Sequence, residues 1–260
     1  HMAPVGVKFH GYEMFQKTSG IKTKLEQFLL RPPTVFINRN ADAIFSYGGV
    51  INDIIQSIGV PAENIITISG GIDDEWIADR PYVTEGKRKI LFIGRNEKRK
   101  GLDDILAIED RMINLPLEFH FVGPIPDDKQ IEAPNMFYHG EIKDVIELRG
   151  IIDKCDVLIA PSHSEGMPNV ILEAMARGLA IIASGVGAVP MMVDEENGIL
   201  IKPRDRNALA EAIESVTEKS DQELSGMRQK SIQKVSEHFR WSAVANRTIE
   251  AIRKLTFTEH

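Results

Sequence analysis

The 260-residue chain has one cysteine, two tryptophans and 7% aromatic residues, and several familiar signatures are missing from it. A single cysteine, Cys155, excludes a disulfide within the chain and cannot build a thiolate metal site, so a reducing compartment is the natural reading and Cys155 reads as a core residue. No apolar run approaches the roughly 20 residues needed to span a bilayer, and no stretch reads as a signal peptide. The seven histidines, His1 and His260 among them, show no zinc-ligand spacing. There is no Asp-x-Asp. The adjacent pairs Asp73-Asp74, Asp103-Asp104 and Asp127-Asp128 point apart on a helix or strand and read as helix-start or turn residues, so no metal is expected. Gly185-Val186-Gly187 lacks the third glycine of a dinucleotide fingerprint, and there is no Walker lysine motif. A formal charge of -7 and a pI near 5.6 argue against a nucleic-acid partner.

What is present is a chain with 43% hydrophobic residues, enough for one large or two smaller cores. From residue 89 onward short apolar runs alternate with amphipathic stretches. Residues 89–94, 117–123, 136–140, 156–160, 180–184 and 198–201 read as strands, and 102–111, 143–154, 168–177, 207–218 and 222–237 as helices. That alternation predicts an α/β fold built on a Rossmann-like, doubly wound parallel sheet, with ligands beyond the carboxyl ends of its strands. Residues 3–70 carry a shorter alternation, with strands at 5–10, 43–47 and 64–69 and helices at 21–30 and 49–58. Three strands make a poor independent domain. The glycines and charges that follow predict a partial second α/β domain over 1–70, a hinge over 71–88, a ligand-binding domain over 89–237 and a C-terminal segment over 238–260.

Chemistry concentrates in two stretches. Ser164-Glu165-Gly166-Met167-Pro168 leads into an apolar helix carrying Glu173, an E-x7-E spacing. Eight helical steps separate the two carboxylates by at most about 12 Å, too far for an acid/base pair on one bond and suited to gripping two ends of one long ligand. Pro168 suits the first helical turn, Glu165 the mouth of the site and Glu173 its interior, with free N–H groups between them that favour a diphosphate. Gly94 to Gly101 follows a strand and opens a helix, bringing Arg95 and Lys100 to where a phosphate could lie. His163 either lines the pocket or caps a loop.

Phe92-Ile93-Gly94-Arg95 with Lys100-Gly101, then Pro161-Ser162 with Glu165 to Ala176, and Asn197-Gly198-Ile199-Leu200 to Pro203 resemble the family 4 glycosyltransferases, retaining enzymes of the GT-B fold. The likeness runs in order from about residue 64 to 218, and Phe239-Arg240-Trp241 resembles the start of the family's final helix, which returns to the N-terminal domain. The resemblance implies that Arg95, Lys100 and the Gly166 and Met167 amides hold the donor diphosphate and the transferred sugar. It also implies that Glu165 contacts that sugar, that Glu173 binds the ribose and that Gly140-Glu141-Ile142 borders the nucleobase. His10, in Phe9-His10-Gly11, is similar to the histidine that approaches the sugar from the N-terminal side. Two departures stand out. Gly187-Ala188-Val189-Pro190-Met191 replaces a segment that in the family tends to have a further glycine and a glutamate, and the larger N-terminal domain with its glycine-rich loop is not represented, so the chain reads as truncated.

The expected activity is therefore transfer of a hexose, such as mannose or glucose, from a nucleoside-diphosphate sugar to a hydroxyl acceptor with retention, without metal or other cofactor. The alternatives are a nucleotide-sugar-binding module without turnover and a GT-B epimerase, which would need further acid/base groups in the cleft. The resemblance implies a glycan or lipid-linked sugar as acceptor, polysaccharide biosynthesis as the setting, and a cytoplasmic protein peripheral to the inner membrane face. Apolar surface left without its missing strands predicts self-association.

Overall fold

A computed structural model describes residues 3–9, 11–16, 21–83 and 86–257. The elements in chain order are β1 (Gly6–Lys8), α1 (Ile21–Arg39), β2 (Ala43–Ser46), α2 (Val50–Ser57), β3 (Ile65–Thr67), β4 (Arg88–Ile93), α3 (Leu102–Leu106), α4 (Glu109–Met112), β5 (Leu117–Val122), β6 (Met136–Tyr138), α5 (Val145–Ile152), β7 (Val157–Ala160), α6 (Asn169–Ala176), β8 (Ala180–Ser184), β9 (Gly198–Ile201), α7 (Arg206–Glu218), α8 (Asp221–His238) and α9 (Trp241–Phe257). All strand pairs are parallel. They form a three-stranded sheet, β1-β2-β3, and a six-stranded sheet, β6-β5-β4-β7-β8-β9. The doubly wound sheet and the smaller α/β unit expected from the sequence are both present.

The larger sheet is covered on both faces because successive strand residues alternate sides. Ile90, Phe92, Phe119, Phe121, Val157 and Ile182 pack with Leu102 and Ile105 of α3 and with Leu209 and Ile213 of α7. On the opposite face, Leu91, Leu158 and Ile181 pack with Ile171, Leu172 and Met175 of α6 and Val235 of α8. The smaller unit has one cluster, centred on Tyr12, Ile44, Ile51 and Ile55, and Ala188 from the segment after β8 joins it.

Two helix expectations need correction. The helix expected over 102–111 is two short helices, because Ile108 N–H bonds to Ile105 O in a tightened turn that puts Ile105, Ile108 and Met112 into one core. The helix expected to stop at residue 30 continues to Arg39 through Pro32 and Pro33. The prolines remove the N–H groups that would reach the carbonyls of Phe28 and Leu29, residues on a turn exposed to solvent, and Thr34 Oγ1 donates to Leu30 O at 2.8 Å. At the other end of the chain, Ile72 and the 239–241 segment exchange backbone hydrogen bonds, and Arg247 Nη2 donates to Ser69 Oγ at 3.1 Å, so α9 lies against the link between the two sheets.

Candidate functional site

Strands β4 and β7 are neighbours in the middle of the larger sheet, yet the chain leaves them in opposite directions, towards β5 and towards β8. At such a switch point the connections diverge and a crevice opens at the strand ends. Two segments line it, residues 94–101 after β4 and 161–168 after β7. They are locked together by Gly101, whose positive φ of 75° suits glycine and where a Cβ would stand 2.1 Å from Pro161 O.

Glu165 sits at this junction, 6% exposed. Its Oε1 accepts hydrogen bonds from Lys100 Nζ at 2.7 Å and Ser162 Oγ at 2.8 Å, and its Oε2 lies 3.5 Å from Arg99 Nη1. The Gly166 carbonyl accepts from Ala188 N–H at 2.8 Å, and Gly187, with φ of 55°, packs so tightly that a Cβ would meet Glu165 O at 2.3 Å. The departure noted around Gly187 thus keeps a backbone contact with the Glu165 loop.

Pro168 is the N-cap of α6, one position before the expected first turn, and no side chain among the described residues caps this helix. Ile171 N–H bonds back to Pro168 O at 3.1 Å, which leaves the N–H groups of Asn169 and Val170 for a ligand or water. The expected depth order is also reversed: Glu165 is the more enclosed carboxylate, because its loop folds back onto residues 99–101, whereas Glu173 is half-buried on the second turn of α6. Glu173 has no hydrogen-bond or ion-pair partner among the described residues, and burial pushes its pKa up. Met167 Sδ accepts the Gly70 N–H at 2.9 Å, tying the site to the link between the sheets.

One cleft of about 620 Å³ gathers Arg95, Lys100, Glu141, Ile142, Glu165, Gly166, Met167 and Glu173. Gly140 does not line it but holds its edge, accepting the Gly123 N–H at 2.8 Å. Arg95 is largely exposed and pairs with Glu97 at 3.0 Å. His10 lies outside the described residues. Arg99, Ser162 and Glu13 are the residues sequence reasoning passed over. Arg99 and Ser162 lay inside quoted motifs, while nothing in spacing singled out Glu13.

His163 does not enter the cleft. Its Nε2 stands 2.5 Å from Asp104 Oδ2, and Arg206 Nε donates to Asp104 Oδ1 at 2.8 Å. Burial alone would raise the Asp104 pKa, but the hydrogen bonds from His163 and Arg206 hold it below the usual value. Asp103 turns the other way, to Lys129 at 2.8 Å. The pair therefore points apart as expected, with Asp104 bracing the residue two positions before Glu165. Cys155 is buried, and burial pushes its thiol up to about 12.

Residues 87–219, about half of the chain, match a family model described as glycosyl transferases group 1. The chain is 27% identical over 230 residues to a glycogen synthase of Mycobacterium tuberculosis, covering 82% of this chain and 54% of that protein. It is 30% identical over 194 residues to a phosphatidyl-myo-inositol mannosyltransferase of Mycolicibacterium smegmatis, covering 69% of this chain and 49% of that one. It therefore spans about half the length of these relatives. Among solved structures it superposes on Anabaena HepE, crystallised with UDP, with a TM-score of 0.75 at 17% identity, over 96% of this chain and 72% of that one. The two parallel sheets are those of the GT-B arrangement.

Proposed function

The chain belongs to the group 1 glycosyltransferases, and from that premise we propose that it carries the donor side of a family 4, retaining hexosyltransferase, moving a sugar such as glucose or mannose from a nucleoside diphosphate to a hydroxyl acceptor. The observation that carries this reading is one cleft holding a buried, triply contacted Glu165 and a Glu173 that has no partner among the described residues, on either side of a helix start that none of those residues' side chains caps. A nucleotide sugar has matching chemistry: sugar hydroxyls at one end, a diphosphate in the middle, ribose hydroxyls at the other.

In this reading Arg95, Lys100 and the amides of Gly166 and Met167 receive the diphosphate, Glu165 and His10 face the sugar, Glu173 accepts from the ribose, and the 140–142 loop borders the base. Lys100 already pairs with Glu165 at 2.7 Å, so its ammonium stands at the cleft before the donor arrives. During transfer the acceptor oxygen bonds to the anomeric carbon while the bond from that carbon to phosphate breaks. The electron pair stays on the diphosphate, and the hydroxyl proton passes to a departing phosphate oxygen. No divalent ion is assigned a part. The domain division at residues 70 and 88, with a helix returning after 238, belongs to the same proposal, as does work on a glycan or lipid-linked acceptor at the cytoplasmic face of a membrane. No helix among the described residues is long and apolar enough to cross one.

Calorimetric titration with UDP, GDP and ADP, beside a Glu173→Ala variant, tests the donor site. One nucleotide should bind, and the substitution should weaken it. Failure of all three to bind would sink the reading, while binding without transfer would leave a nucleotide-sugar-binding module.

A further inference from the structure

We propose that Glu13 is the acceptor-orienting residue of this cleft, its carboxylate accepting a hydrogen bond from the incoming hydroxyl of a carbohydrate. The inference rests on the hexosyl-transfer reading above and adds the side of the reaction that the donor residues leave open.

The cleft is walled almost wholly by the six-stranded unit; among the described residues the three-stranded unit contributes Glu13 and Tyr47, and Glu13 is its one charged group there. The short 3-10 turn Glu13–Phe15 that carries it is fixed from several directions. Tyr12, fully buried, donates its hydroxyl to Asn38 Oδ1 at 2.7 Å. Gln27 Nε2 donates to the carbonyls of Glu13 at 2.7 Å and Gln16 at 3.2 Å, and Arg31 Nε to that of Met14 at 2.8 Å. Gln16 Nε2 in turn donates to Glu165 O at 2.9 Å. The turn is thus tied to the backbone of the glutamate assigned to the transferred sugar.

Within this fixed frame the Glu13 carboxylate has no hydrogen bond or ion pair among the described residues. It lies over Gly11, where a Cβ would come within 2.4 Å of Oε1 and push this exposed, flexible carboxylate aside. A carboxylate set on a cleft wall repels a diphosphate and accepts from hydroxyls. Glu173 and Glu165 answer the ribose and the donor sugar, and Glu13, entering from the opposite unit, answers the remaining hydroxyl-bearing component.

The test compares the chain with its Glu13→Gln and Glu13→Ala variants in three readouts: calorimetric UDP, GDP and ADP binding; nucleotide release from UDP-glucose, GDP-mannose and ADP-glucose in water alone; and the same release with octyl glucoside, galactoside or mannoside as acceptor probes. Matched circular dichroism and thermal melts exclude misfolding. Both variants should bind nucleotide and support release to water as the parent does, but lose acceptor-stimulated release about ten- to a hundredfold, the scale of one lost hydrogen bond to a charged group. Weakened nucleotide binding or slower release to water would overturn the proposal by putting Glu13 on the donor. Unchanged acceptor stimulation, or a parent chain that releases nucleotide but responds to none of the hexosides, would overturn it too. A parent that binds no nucleotide would instead sink the donor-site reading.

Discussion

The six-stranded unit buries both faces of its sheet between helices, whereas the three-stranded unit has a single cluster and turns much of its apolar surface outward. Phe119, Phe121, Ile90 and Leu91 are at most 1% exposed, but in α1 it is Gln27, Thr34 and Asn38 that are buried while Phe28 is 70% and Phe36 69% exposed. The smaller unit instead leans on the larger one, through Ala188 in its core, the Val50 N–H on Gly187 O at 3.0 Å and Gln16 on Glu165 O. One half stands on its own two-sided core and forms the platform that lines most of the cleft. The other is positioned by it, and its contribution to the cleft is correspondingly small.

The largest effect should come from breaking the platform itself. Asp156 and Arg228 form a buried pair at 2.7 Å, with Arg228 also donating to the carbonyls of Gly178 and Tyr82. Asp156→Ala leaves a guanidinium buried without its counter-ion, and unfolding by denaturant should show a loss of about 3–5 kcal/mol. In the smaller unit Tyr12→Phe removes the donor to the Oδ1 of buried Asn38, whose Nδ2 keeps its bond to Thr34 O, and should cost about 1–3 kcal/mol. Native-state hydrogen exchange sharpens the contrast: amides of β1 to β3 should open at lower free energy than those of β4, β7 and β8, and Tyr12→Phe should widen that gap.

A third test addresses the site. Burial raises the Glu173 pKa in the folded chain, so the fold holds its proton more tightly than the unfolded chain does. Stability conferred by that carboxyl is full below the unfolded carboxylate range and declines as pH rises through the raised folded pKa. Glu173→Gln should flatten this decline. If ribose hydroxyls donate to Glu173, nucleotide binding favours the ionised form, so affinity should rise with pH over the same window and a proton should be released. Titrations in buffers of different ionisation enthalpy measure that release, and proton uptake on binding would contradict the assignment.

How much of this was legible beforehand follows the same division. The central strands of the larger sheet announced themselves because both faces are buried and their apolar runs are nearly continuous, as in residues 89–94 and 180–184. The cleft residues after β4 and β7 were legible because strand ends in such sheets are where ligands sit. Depth was not. The order of Glu165 and Glu173 depends on how residues 161–168 fold back onto Gly101, and no local pattern encodes that contact. Likewise α1 could not be followed past Pro32 and Pro33, since whether a helix survives two prolines turns on whether the freed carbonyls meet water. Asp104 bracing His163 joins residues 59 apart and left no spacing signal.

The smallest expected change in stability tests the outward apolar face. Replacing Phe28 or Phe36 with serine removes side chains that are mostly in water already, so the folding free energy should move by no more than about 0.5 kcal/mol. Association should respond far more. Leu25, Leu29 and Leu30 extend the same exposed surface on α1, and Val5, just before β1, is 56% exposed at the free edge of the smaller sheet. Exposed apolar helix surface and an open parallel edge are each a template for a second copy of the chain. Sedimentation velocity should therefore show concentration-dependent self-association that the double variant Phe28→Ser, Phe36→Ser suppresses. A parent chain that stays strictly monomeric would mean that this face, for all its exposed area, gains too little from burial to offset the entropy of association, and the two units would then differ in coverage without differing in stickiness.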